Sequence, residues 1–119
     1  MDIFLMPKGD GSDCLVDFKK ELLNSHKEDL IIALDEAINK LKQYGFDINK
    51  QWKRQSLKKL NSELYELRQK NIRILLYFDG KSFFILLHCF LKTTQQTPIK
   101  QIKKAEKEIK RWKEMKLNS

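Results

Sequence analysis

Residues 64–92 read LYELRQKNIRILLYFDGKSFFILLHCFLK, and the strand pairing inside this stretch decides which side chains share a surface. LYELR (64–68), IRILLYF (72–78) and KSFFILLHCFL (81–91) are rich in aromatic and branched residues, a composition that suits β-strands. Asp79-Gly80, between the second and third segments, is a dipeptide of tight hairpin turns. With those two residues as the loop, Phe78 lies opposite Lys81. Ile72, Ile74, Leu76 and Phe78 then share a face with Phe83, Ile85, Leu87 and Cys89. Apart from Lys81 at the turn that face is apolar, so helices must cover it.

The opposite face holds Arg73, Leu75 and Tyr77 with Phe84, Leu86, His88 and Phe90, and Lys92 lies just past the strand end. A turn at Lys70-Asn71 sets Arg68 against Arg73 and brings Glu66 to the same side. A one-residue change of that turn would bury an unpaired guanidinium, which is costly. Two facing arginines with one carboxylate between them leave an excess of positive charge. Phosphate suits such a site, because a guanidinium grips it through two parallel hydrogen bonds and remains charged. Aromatic rings on the same face suit unpaired bases. The competing structural reading has the arginines reaching from an open sheet face to Glu66 or to water.

Outward from this core, Asp2–Met6 reads as a strand closed by the turn residues Pro7 to Gly11. Ser12 caps a first helix with Leu15, Phe18 and Leu22 along one stripe, and Ser25 with Glu28 fits a capping box. The second helix carries Ile31, Leu34, Ile38 and Leu41 and ends at Gly45, so the two form an antiparallel hairpin. Residues 46–61 have no clear period and mix Trp52 with a set of cations. Among these, Lys53, Arg54 and Lys59 are candidate RNA contacts. Thr97 and Pro98 open a last helix running to about Lys116, with Ile99, Ile102, Ile109, Trp112 and Met115 on its apolar side. The order β-α-α-β-β-β-α predicts one α+β domain over residues 1–119. Its antiparallel sheet carries the N-terminal helical hairpin on one face, with a C-terminal helix completing the fold.

The chain has 119 residues and a net charge of +8, with 41% hydrophobic and 34% charged residues, a globular composition. Residues 61–119 hold 13 Lys+Arg against 6 Asp+Glu, so most of the charge sits in the half that carries the three strands. That asymmetry suits a polyanionic partner, and equally a surface kept soluble by lysine. No apolar run approaches the roughly 18 residues that a membrane helix needs. The opening MDIFLMPKGD lacks the basic segment of a signal peptide, so a cytoplasmic location is expected. Cys14 and Cys89 form no CxxC pair and read as reduced core thiols. No carboxylate cluster suggests a metal site, and no cofactor is expected.

LYELR (64–68), IRILLYF (72–78) and LLHCFLKTTQQTP (86–98), in this order, resemble the signature of the HigB family, the phage Gp49-like members of the RelE/ParE toxin superfamily. The upstream strand and helical pair extend the likeness over essentially the whole chain. The resemblance implies a RelE-like fold and a ribosome-dependent endoribonuclease that cuts messenger RNA and inhibits translation. It further implies silencing by a HigA-like antitoxin with a helix-turn-helix domain, in a heterotetrameric complex. By the same likeness Arg68, Arg73 and Lys92 line the active face. Asn71 and Cys89 stand where glycines are usual, Thr93 follows Lys92 in place of a second cation, and Gln96 replaces a frequent lysine.

Metal-free RNA cleavage proceeds by attack of the ribose 2′-OH on its own neighbouring phosphorus. It requires removal of a proton, stabilisation of charge on phosphate and protonation of the leaving 5′-oxygen. Arg68 and Arg73 are assigned to the phosphate, and Lys92 to charge stabilisation or proton transfer. His88 is an acid or base candidate, set against a structural role among the strand aromatics. Tyr77 and Phe90 are candidate stacking rings. Two other readings stand beside this one: a ParE-like inhibitor of DNA gyrase acting by protein contact, and a basic RNA-binding module without catalysis.

Overall fold

The computed structural model describes residues 1–8, 11–52, 55–93 and 97–117. Its elements are β1 (Asp2–Leu5), α1 (Cys14–Asn24), α2 (Glu28–Tyr44), a single 3-10 turn, α3 (Ile48–Gln51), β2 (Leu57–Lys59), β3 (Leu64–Gln69), β4 (Ile72–Phe78), β5 (Phe83–Leu91) and α4 (Ile99–Leu117). The α+β architecture expected from the sequence is present. The sheet runs β1-β5-β4-β3-β2, antiparallel except that β1 lies parallel to β5.

Both faces of the sheet are covered. Phe18 and Leu22 of α1 and Leu34, Ala37 and Leu41 of α2 bury one face with Leu67, Ile74, Leu76, Phe84 and Leu86. On the other, Ala105 and Ile109 of α4 pack over Leu64, Leu75, Ile85, Leu87 and Phe90. The near-continuous apolar runs of β4 and β5 are what burial on two sides demands.

The β4–β5 hairpin departs from the sequence reading. Phe78 pairs with Phe84, not Lys81, so residues 79–82 plus a closing contact from the Asp79 N–H to the Phe83 carbonyl (3.2 Å) form the loop. The Asp79 carboxylate accepts the N–H groups of Lys81, Ser82 and Phe83 at 2.9, 3.0 and 3.2 Å, which stabilises the wider turn. Phe84 and Leu86 therefore face the helical hairpin, and Phe83, Ile85 and Leu87 face α4, the reverse of the expected assignment. Leu75 then pairs with His88 while Leu76 pairs with Leu86, leaving Leu87 as the extra residue of a β-bulge. Beyond the bulge the parity returns: Cys89 opposes Ile74 and Phe90 opposes Arg73, as a two-residue loop would have placed their faces.

Helix ends also differ. Asp13, not Ser12, caps α1 by accepting the Val16 N–H at 2.9 Å. Ser25 closes α1, so α2 opens without a side-chain cap at Lys27. Cys89 is buried and Cys14 only partly so, and both are free. A hydrogen bond to Cys14, together with burial, pushes the Cys89 thiol well above its ordinary pKa. Among the described residues no helix is long and apolar enough to cross a membrane.

Candidate functional site

The short turn at Lys70-Asn71 forms as expected, with Gln69 paired to Ile72 and Arg68 directly opposite Arg73. Lys70 takes the left-handed conformation (φ 53). Beyond β5, the Lys92 N–H continues the ladder to the Asn71 carbonyl at 2.7 Å, which brings Lys92 alongside the turn. On the other flank β2 pairs with β3, and Lys58 stands opposite Glu66. Asn49 pins β2 in place, giving its Nδ2 to the Leu57 carbonyl and accepting the Leu57 N–H, both at 2.8 Å. Four strands thus converge on one cationic surface beside the start of α4.

Glu66 lies at its centre, fully buried. Arg68 Nε donates to Glu66 Oε1 at 2.8 Å, and Arg73 Nε lies 4.0 Å from the same oxygen. The Thr97 hydroxyl donates to Glu66 Oε2, so Thr97 braces the site, and α4 opens two residues later at Ile99. One carboxylate therefore serves two guanidiniums, with Lys92 and Lys58 adding further positive charge. The Arg73 Nη1 group holds the carbonyls of Lys70 and Ile72 at 2.8 Å each, and its buried Nε has no hydrogen-bond partner among the described residues. The Arg68 and Arg73 side chains keep 25% and 11% of their surface exposed, both on the side away from the helical hairpin.

The electrostatics record the crowding. Burial lowers the Arg73 pKa; Glu66 opposes this and Arg68 reinforces it, yet a guanidinium stays charged throughout. Burial at the strand end, then repulsion from Arg73 and Arg68, lowers the Lys92 pKa against the pull of Glu66, with Lys58 adding to the repulsion. A buried acid between two guanidiniums, with further cations at the rim, leaves this surface with an excess of positive charge, chemistry that suits an anion.

Other expected site residues lie elsewhere. Lys59 is on the opposite face of β2, its Nζ 5.9 Å from the centre of the Tyr65 ring. Lys58 takes the place beside Glu66, because side chains alternate along a strand. Phe90 opposes Arg73 but is buried in the cluster under α4, so it packs and offers no open ring to a base. Tyr77 is half-buried towards the other end of α4, where Lys113 covers its ring. Lys53 and Arg54 lie outside the described residues.

His88 is one face position before Phe90 on β5, and its ring stacks on the phenyl ring at 5.8 Å and 21°. Its Nε2 meets Gln101 Oε1 at 2.7 Å, tying β5 to α4. It also lines a cavity of about 480 Å³ together with Cys14, Glu21 and Lys104. Burial, then repulsion from Lys104, lowers its pKa, with the Gln101 hydrogen bond opposing, then repulsion from Lys8, and Glu21 also opposing. The imidazole is therefore neutral at neutral pH. Among the described residues no group of three or more His, Cys, Asp or Glu side chains could hold a metal ion.

Residues 21–110 match the family model described as Phage derived protein Gp49-like (DUF891). The chain belongs to this Gp49-like family. No curated protein matches it. The matched span of this Gp49-like protein includes all of β2–β5 and the Glu66-centred cluster, together with Thr97 and most of α4.

Proposed function

We propose that this Gp49-like protein is the toxin of a toxin–antitoxin pair, a HigB-type member of the RelE superfamily that cleaves messenger RNA on the ribosome. The observation that carries the reading is the pair of facing arginines on a single buried carboxylate, with Lys92 and Lys58 at the rim. Such an excess of fixed positive charge stabilises the extra negative charge that a phosphodiester acquires in its transition state.

In this mechanism the guanidiniums of Arg68 and Arg73 hold the non-bridging phosphate oxygens. The ribose 2′-oxygen gives its proton to a solvent water as it attacks the adjacent phosphorus, the bond to the 5′-oxygen breaks, and a 2′,3′-cyclic phosphate forms. Lys92, its pKa depressed, gives a proton to the departing 5′-oxygen more readily than an ordinary lysine would. Glu66 is sealed from solvent and acts as a positioning residue that fixes both arginines. His88 faces Gln101 and the neighbouring cavity, so the proton transfers proposed here do not use it. A helix-turn-helix antitoxin that covers the cationic surface would silence the toxin.

Cleavage of a translated message on purified ribosomes tests the reading. Arg68→Ala and Arg73→Ala should each slow cutting by about 10²–10³-fold, the usual cost of removing a transition-state donor, at a temperature below the lowered melting transition of each variant. Cutting at the wild-type rate by either variant would remove that arginine from the site.

A further inference from the structure

A second cavity, of about 690 Å³, opens at the far end of α4 and is lined by Tyr77, Phe83, Trp112, Lys81, Lys113 and Lys116. Phe83 and Trp112 meet edge to face, their ring centres 6.3 Å apart at 77°. Lys116 Nζ lies 5.5 Å from the Trp112 ring centre and 5.9 Å from that of Phe83, and Lys113 Nζ lies 5.7 Å from that of Tyr77. Lys113 also pairs with Glu63. Asp79 borders the cavity too, but its carboxylate is turned to three backbone N–H groups of its own loop.

Cavities of this size take a small planar ligand, and aromatic walls under a cationic rim match the two parts of a nucleotide, a flat base and a phosphate. The position also fits. Tyr77 shares a strand and a face with Arg73, and α4 covers the intervening Leu75. From Ile99 to Trp112 the helix spans about 20 Å at 1.5 Å per residue. Lys100, Lys103, Lys107 and Lys110 are exposed along its outer side, so cations mark a route between the two ends.

We propose that the Tyr77–Phe83–Trp112 cleft is a second contact for single-stranded RNA, which stacks an unpaired base there while the arginine cluster holds the strand's phosphate. The proposal rests on the nuclease reading and assigns that reading's substrate a second footing on the protein. Stacking of this kind tolerates any base, so the cleft adds affinity for unpaired strand without choosing a sequence.

The sequence holds two tryptophans, Trp52 and Trp112, so Trp52→Phe leaves Trp112 as the only indole reporter. In that background a short oligouridylate should quench Trp112 saturably, whereas a blunt RNA duplex or poly-glutamate should not. Lys81→Glu with Lys116→Glu, both on exposed side chains, should weaken oligouridylate binding by about tenfold or more. Ultraviolet crosslinking of the unmodified chain should place RNA on peptides carrying Trp112, Phe83 or Tyr77. Oligouridylate binding seen by anisotropy, without quenching or crosslinks at these residues, overturns the cleft and spares the nuclease. No oligouridylate binding at all overturns the cleft and removes support from the nuclease as well. Saturable quenching by poly-glutamate alone makes the cleft a seat for an acidic protein and overturns the RNA assignment.

Discussion

Glu66 shows how one side chain organises the proposed site. It is fully buried and meets Arg68, Arg73 and Thr97, which belong to two strands and the segment before α4. Replacing it with glutamine leaves two guanidiniums facing each other without a counter-charge. Glu66→Gln should therefore lose about 3 kcal/mol of stability in chemical denaturation, the low end for breaking a buried ion pair, since Arg68 keeps some contact with water. An unchanged denaturation midpoint would show that the arginines are held by other partners. His88 gives the second residue-level expectation. Its folded-state pKa lies below the ordinary 6.5, so on acidification the unfolded chain takes up the proton first. The stability it contributes is present above pH 6.5 and is lost as pH falls from there towards the lowered folded value. His88→Gln keeps a polar partner for Gln101 and should flatten stability against pH over that acidic window. A slope equal to that of the parent would place the imidazole in water. Arg68 and Arg73 were legible in the sequence because a two-residue turn fixes their register. Lys58 was not, because β2 has only three residues and its alternation cannot be read from so short a segment.

Among the elements, β5 carries the main structural lesson. The loop before it is longer than Asp79-Gly80 indicates, which reverses the faces of Phe83 to Leu86, and the bulge at Leu87 restores them from His88 onward. Two departures from an ideal hairpin cancel at the residues nearest the site. For this reason the strand alternation placed His88 and Phe90 on the face of the arginine pair from an incorrect loop. Neither departure has a sharp sequence signal, because both sides of β5 are apolar and a register shift exchanges one buried leucine for another. The same uninterrupted hydrophobicity was the available sign that α4 covers the second face, and hence that Phe90 is core. Deleting Leu87 should straighten β5 with Leu86 still opposite Leu76 and Cys89 still opposite Ile74, and should remove a buried side chain from under α4. That variant should still melt cooperatively but lose about 2–5 kcal/mol, the usual cost of removing a buried leucine, whereas adding two residues to the 79–82 loop should cost less than about 1 kcal/mol. An unchanged denaturation midpoint for the deletion variant would show that neither the bulge nor the Leu87 side chain contributes to stability.

At the scale of the whole molecule, the sheet divides the protein into a side packed under two helices and a side crossed by one. The α1–α2 hairpin seals the first with an apolar layer, while α4 crosses the second and leaves its two ends open. Cations gather at one end around Glu66 and line the outer side of α4. The charge asymmetry visible in the sequence thus becomes a directional surface, with the matched Gp49-like region spanning nearly all of it. The most direct test of the central claim is to map messenger RNA ends in cells producing the wild-type chain or its Arg73→Ala variant. New ends within translated regions, bearing 2′,3′-cyclic phosphate and absent with the variant, are the predicted result. Intact transcripts accompanied by DNA breaks in the wild-type culture would contradict it and point to a gyrase poison.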